Sequence, residues 1–180
     1  MEKLYIPLPN EVEYCYAYDQ PISFGNTSQG TLEVKWLRGM EDTLRRLVAT
    51  GLRIVPWGNI GADLLGEVRY AMLQEMGLDM TCMHPTQGAT AIKVTIKQSH
   101  APTPIVLTHG EQNSILPPLL EKKESGGLYL YGEYATHYQP EVLALTGWKF
   151  PMMLQIPGDA LLLGSAHIVE NIAARLEALQ

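Results

Sequence analysis

Cysteine is scarce in this chain, and basic residues, phenylalanine and long apolar runs are too. Cys15 and Cys82 are the only cysteines, too few for a disulfide framework or a thiolate metal centre, and their apolar neighbours are those of buried thiols in a reducing compartment. Lysine and arginine total 13 against 19 acidic residues, and they cluster no further than Arg45-Arg46 and Lys122-Lys123. Such a chain cannot neutralise several phosphates at once, so no nucleic-acid partner is expected. No apolar run approaches the roughly 20 residues that span a bilayer. The opening "MEKLYIPLPNEVEY" lacks a basic segment followed by an apolar core, so a soluble, cytoplasmic protein without a membrane partner is expected.

Several chemical signatures are also missing. His84, His100, His109, His137 and His167 never fall four apart on a helix or near the cysteines at zinc spacing, so no metal site is expected. There is no GxSxG elbow to expose a nucleophilic serine, no GxxxxGK[ST] loop and no GxGxxG turn. No catalytic residue is therefore assigned.

What is present is a chain of 180 residues, 46% of them hydrophobic, enough to bury the core of one domain spanning residues 1–180. Residues 4–18 and 31–37 carry β-branched and aromatic residues and predict strands, separated by the turn-rich "DQPISFGNTSQG". Met40, Leu44, Leu47 and Val48 recur at helical spacing up to Gly51. "LRIVPW" then predicts a short buried strand, and Leu65, Val68, Met72 and Met76 mark one face of a second helix that ends before Gly77. "ATAIKVTI" and "PIVLTH" predict a hairpin with a longer loop. The remainder alternates: "LYLYGE" as strand, "PEVLALTGW" as helix, "FPMMLQI" as strand and "HIVENIAARLEAL" as helix, the last with Ile168, Ile172, Leu176 and Leu179 on one stripe. Alternating strands and helices imply an α/β fold, a mostly parallel sheet flanked by helices.

"GLRIVPWGNIGADLLGE" places Gly58, Gly61 and Gly66 between a strand and a helix. Gly58 and Gly61 permit positive φ or close backbone approach, Gly66 lets the helix sit close to its neighbours, and Asp63 is the natural amino-terminal cap. Glu133 lies just beyond the strand "LYLYGE", where open α/β sheets hold ligands. A solvated strand-end glutamate is the alternative there.

"GLRIVPWGNIGADLLGE", "LQEMGLD", "PTQGATAIKVTI" and "PIVLTHGEQNSI", in that order and spacing, resemble the amino-terminal half of the ribokinase-like (PfkB) carbohydrate kinases. "YDQPISFGNT" upstream and "GGLYLYGE" and "KFPMMLQIPGD" downstream extend the resemblance over about residues 10–165. The resemblance implies an α/β domain with a small β-sheet lid, formed here by strands within about 4–37 and 89–109. Such a lid closes over a sugar or nucleoside and often pairs with a second lid in a homodimer.

In that family an aspartate on the first strand and an asparagine in a Gly-Gly motif hold sugar hydroxyls. The matching positions are Glu13 and Gly39 to Asp42, so the resemblance implies substrate binding by Glu13, Gly39, Asp42 and Glu133. "WLRGMEDTLRR" lacks the paired glycines and carries Asp42 in place of the asparagine. The family's anion hole and general base belong to a later "GAGD" motif, and this sequence ends at Gln180 without one. "PGDALLLG" mimics that motif with Asp159 as a displaced base, but the in-order alignment makes "DALLLGS" the next core strand. The resemblance thus implies a non-catalytic or incomplete ribokinase-like domain that binds a small sugar, polyol or nucleoside and self-associates through its lid, with no cofactor for this chain alone. Two alternatives stand beside it: a sugar or nucleoside kinase using ATP and Mg, as a fragment or completed by another chain, and a structural dimerisation module with a vestigial cleft.

Overall fold

A computed structural model describes residues 2–19, 25, 29–37, 39–110, 126–132, 134–135, 152–156 and 160–178. The expected helix "PEVLALTGW", Glu133, Asp159 and Leu179 lie outside the described residues.

Two sheets organise the chain. The larger has six strands in the order β5-β4-β1-β8-β10-β9: β5 (Cys82–Pro85), β4 (Arg53–Ile60), β1 (Lys3–Pro7), β8 (Gly126–Tyr131), β10 (Ala160–Gly164) and β9 (Met152–Ile156). From β5 to β8 every neighbouring pair is parallel. The next strand, β10, runs antiparallel to both β8 and β9. "DALLLGS" therefore does furnish a core strand, but it returns beside β9 as a hairpin, because only residues 157–159 join the two strands and a parallel crossover needs a dozen or more residues.

β1 occupies the middle, and Leu4, Tyr5 and Ile6 are all buried, the two-sided burial expected of an inner parallel strand. Leu4, Ile6 and Leu8 pack with residues of three helices: α1 (Glu41–Ala49), α2 (Leu64–Glu75) and α3 (Ala166–Glu177). Leu44 and Leu47, Leu73, and Ile168, Val169 and Ile172 supply those helices' contacts. Tyr5, Val55, Trp57, Leu128, Leu130 and Leu163 form a second cluster from the alternate strand positions.

Met76 is buried as expected, but along α2 itself the inward stripe is displaced by one position. Leu65, Val68 and Met72 are only half-buried, whereas Gly66, Arg69 and Leu73 face inward. The apolar periodicity located the helix, but a buried arginine rotates the face that points at the sheet.

The smaller sheet has the order β3-β2-β6-β7: β3 (Thr31–Lys35), β2 (Glu11–Tyr18), β6 (Ala91–Gln98) and β7 (Ile105–His109). β2 and β6 are parallel, and the outer pairs are antiparallel. "ATAIKVTI" and "PIVLTH" do pair as a hairpin. The expected strand over 4–18 divides at Leu8-Pro9-Asn10, so residues 3–7 belong to the core and the lid begins at Glu11. The sequence distinguishes the two pieces, since β1 is apolar on both faces while β2 alternates Glu11, Glu13 and Cys15 with Val12, Tyr14 and Tyr16.

That alternation makes the small sheet two-faced. Glu13 lies opposite Lys35 and Lys93, and Cys15 opposite Glu33 and Thr95. On the other face Tyr14 lies between Val34 and Val94, Tyr16 between Leu32 and Ile96, and Leu107 and Ile105 continue the row on β7.

Candidate functional site

The chain leaves β1 for the lid through residues 8–10, returns to α1 through residues 36–40, and re-enters the lid from β5 through residues 86–90. The first and third start at the carboxyl ends of the parallel strands β1 and β5, and Arg69 ties Trp36 of the second to Pro9 of the first. Ligands of open α/β sheets bind at such ends, where neighbouring connections diverge.

Asn10 sits at the first crossing and is buried. Its Oδ1 accepts from the Gly61 N–H at 3.0 Å and from Arg69 Nη1 at 3.1 Å. Its Nδ2 donates to the Ala89 carbonyl at 3.4 Å, and its own carbonyl accepts from Ala91 N–H at 2.9 Å. One side chain and its carbonyl thus join the first crossing to the third and to the turn after β4.

Arg69 is fully buried. It donates from Nη2 to the Pro9 carbonyl and from Nε to the Trp36 carbonyl at 3.1 Å. Burial pulls its pKa down to about 10, against the opposing influence of the Tyr131 and Tyr134 phenols and the Glu11 and Asp63 carboxylates. That value is well above neutrality, so the guanidinium remains charged, and its donors meet oxygens that would otherwise be buried without partners.

Asp63 caps α2. Its Oδ1 accepts from the Gly66 N–H at 2.8 Å and the Thr90 hydroxyl at 2.7 Å, while Oδ2 accepts from the Thr90 N–H at 2.7 Å. Burial raises its pKa, but these hydrogen bonds and nearby Arg69 outweigh it and hold the carboxyl below its ordinary value. The glycines make room for this junction. A Cβ on Gly61 would lie 2.4 Å from Thr90 Oγ1, and one on Gly66 would lie 2.0 Å from the Gly61 carbonyl oxygen. Gly58, with φ of 151°, lies within β4. Gly61 and Gly66 therefore serve close backbone packing, whereas Gly58 serves a positive φ.

Tyr131, at the end of β8, donates its hydroxyl to the Pro7 carbonyl at 2.9 Å and meets Tyr134 edge-on at 5.5 Å between ring centroids. Glu11, at the start of β2, is buried. Together these groups give the sheet end a polar and aromatic floor.

Glu13 stands on the lid strand β2, beyond the crossing. Its Oε1 accepts from the Thr95 hydroxyl at 2.7 Å and lies 3.2 Å from Lys93 Nζ. Burial raises its pKa, but Thr95, Lys93 and Lys35 together hold it below the ordinary value. It is an ionised acceptor on the polar lid face.

Gly39 has φ of 80° in an exposed turn before α1, with open space where a Cβ would be. Asp42 is an exposed residue of the first turn of α1, and the acid that makes a contact there is its neighbour Glu41, which accepts from the Leu37 N–H at 3.0 Å. Among the described residues no hydrogen bond or ion pair links Glu13 to Gly39 or Asp42. Sequence reasoning missed Asn10, Glu11 and Arg69. The available signal was the position of Asn10-Glu11 just after the prolines that end β1. Among the described residues no His, Cys, Asp or Glu group is arranged for a metal ion, and no helix is long and apolar enough to cross a membrane.

No protein-family model matches this sequence, and no curated protein matches it at a significant level. Solved structures do. A reputed sugar kinase from Clostridium perfringens aligns over 67% of this chain and 37% of its own, at 13% identity and a TM-score of 0.50. A ribokinase from Giardia lamblia aligns over 61% of this chain and 33% of its own, at 13% identity and a TM-score of 0.47. A ribokinase from Cryptococcus neoformans, solved with ADP, aligns over 65% and 37%, at 18% identity and a TM-score of 0.44. The chain spans between 33% and 37% of the length of these structures. The Clostridium match shows the fold: this chain shares the α/β fold of that reputed sugar kinase, with a mostly parallel sheet, helices packed on it and a small second sheet.

Proposed function

We propose that the chain is the lid-bearing, ligand-binding part of a ribokinase-like domain, and that it holds a small sugar, polyol or nucleoside between the lid's polar face and the carboxyl ends of β1, β4 and β8. The observation that carries this reading is the root of the small sheet, which leaves the carboxyl ends of β1 and β5 and is bonded there through Asn10 to Gly61 and through Thr90 to Asp63. Glu13 supplies an ionised acceptor for ligand hydroxyls, and Tyr131 and Tyr134 supply an aromatic floor. Gly39 and Asp42, at the amino end of α1, are the secondary candidates, together with Glu133.

The apolar lid face, with Leu32, Ile105 and Leu107 each at least half-exposed, is proposed to pair with the same face of a second copy. An exposed row of this kind on a sheet with open edges is a template for association.

The fold likeness to a reputed sugar kinase favours a second reading: ATP- and Mg-dependent phosphoryl transfer to a ligand hydroxyl by a domain of which this chain is one part. Calorimetric titration with ribose, fructose, adenosine and ATP separates the readings. Heat with a sugar or nucleoside and no turnover supports binding, and phosphorylated product with ATP supports transfer. Silence toward every compound contradicts both and leaves lid pairing as the chain's role.

A further inference from the structure

Each sheet is internally hydrogen-bonded, and the described ladders never cross from one to the other. What joins them is the set of crossings, so the angle of the lid is decided there. From the turn after β4 and the first half of α2, polar groups reach all three described crossings. Arg69 holds the first and second through Pro9, Asn10 and Trp36. Asp63 holds the third through Thr90, and Asn10 links the first to the third through Ala89.

Two features separate this cluster from ordinary helix-to-sheet packing. First, a helix face turned to a core is normally filled by apolar side chains, whereas α2 commits its central inward position to a fully buried guanidinium. Burying a charge is unfavourable unless its hydrogen bonds are met, and here they are met by the chain segments that leave and re-enter the core. Second, two of the three Arg69 acceptors are backbone carbonyls, at Pro9 and Trp36, separated by an entire lid hairpin. A planar fork with fixed donor directions sets the relative position of two such carbonyls in a way that a single ammonium cannot.

We infer that Arg69 is a positioning residue that, with Asn10, fixes the stance of the lid sheet over the carboxyl edge of the core sheet. The lid is thereby tied to α2 and follows it. This inference uses the proposed function only to name what the lid covers; its test needs no ligand, so the two can fail separately.

The test is residual dipolar coupling of backbone amides in the full 180-residue chain, compared among the parent, Arg69→Lys and Asn10→Ser. In the parent, one alignment tensor should fit amides of both β1 and β4 and of β2 and β6. In the two variants the lid amides should lose coupling magnitude relative to the core amides while amide exchange in β1 and β4 keeps its parent protection. Arg69→Lys keeps the charge but lacks the fork, so loss of lid order in that variant reflects hydrogen-bond geometry. A common tensor persisting in both folded variants would overturn the inference. So would equal loss of protection in both sheets, or failure of both variants to fold, since either makes the cluster a general support of the core.

Discussion

Thr90 gives Asp63 two hydrogen bonds, one from its N–H and one from its hydroxyl, both at 2.7 Å. The residue that begins α2 is thereby bonded to the residue that precedes the lid strand β6. A helix cap in this chain is also part of the lid's root. Replacing Asp63 with alanine should lower stability by about 2 kcal/mol, at the upper end of cap losses because Thr90 is released too. Urea unfolding measures it, and a loss under about 0.5 kcal/mol, as for an ordinary surface position, would contradict the assignment.

The same carboxylate predicts an acid limb. The folded pKa values of Asp63 and Glu13 lie below their ordinary values of 3.8 and 4.5. Their contribution to stability is therefore complete above those values and is lost as pH falls through the lower folded ones. Thermal midpoints should hold from neutrality to the ordinary carboxylate range and then drop. Asp63→Asn should flatten the drop, and an unchanged acid limb would count against it.

Gly66→Ala tests the close packing of α2. Helix propensity alone favours alanine by about 1 kcal/mol, but the new Cβ would lie 2.0 Å from the Gly61 carbonyl oxygen. Backbone cannot yield as a side chain tip does, so a net loss of about 1 to 3 kcal/mol is expected. Gly88→Ala, whose Cβ meets Thr86 Oγ1 at an ordinary 3.7 Å, is the neutral control in the same denaturation series.

Tyr131→Phe removes the bond to the Pro7 carbonyl and keeps the ring. Stability should fall by about 1 kcal/mol, seen as a shifted urea midpoint with unchanged slope. If the phenol also meets ligand, affinity falls in parallel.

Lid pairing is tested by Leu107→Lys, which places a charge at the β7 end of the apolar row while leaving the polar face intact. Light scattering coupled to gel filtration should report a dimer for the parent and a monomer for the variant. A parent that is monomeric at high concentration would refute the proposed pairing.

Much of this architecture was legible because periodicity and turn chemistry report local structure directly. Asp63 caps α2, Gly51 follows α1 with φ of 76°, and the three glycines fall near the end of β4, in the following turn and in the first turn of α2. Arg69 was not legible. A charged residue on an amphipathic helix ordinarily marks its wet face, and only the crossings, brought together from distant parts of the chain, supply the carbonyls that make its burial tolerable. Glu13 was legible as a carboxylate on an expected lid strand, but its partners were not. Pairing with Lys93 and Thr95 depends on the parallel register of β2 with β6, separated by β3, α1, β4, α2 and β5, and no local pattern encodes that register. Asp42 is an exposed residue in the first turn of α1, and motif spacing alone does not report whether such a residue meets a ligand.

The central claim is that a polyhydroxylated ligand binds between the polar lid face and the sheet end. Isothermal titration with ribose and adenosine, on the parent chain and on Glu13→Gln, tests it most directly. The account predicts saturable heat with at least one of them and a loss of about 1 to 3 kcal/mol in the variant, the usual effect of removing a charged hydrogen-bond acceptor. Equal affinity in parent and variant, or no heat from either ligand with the folded parent, would contradict it.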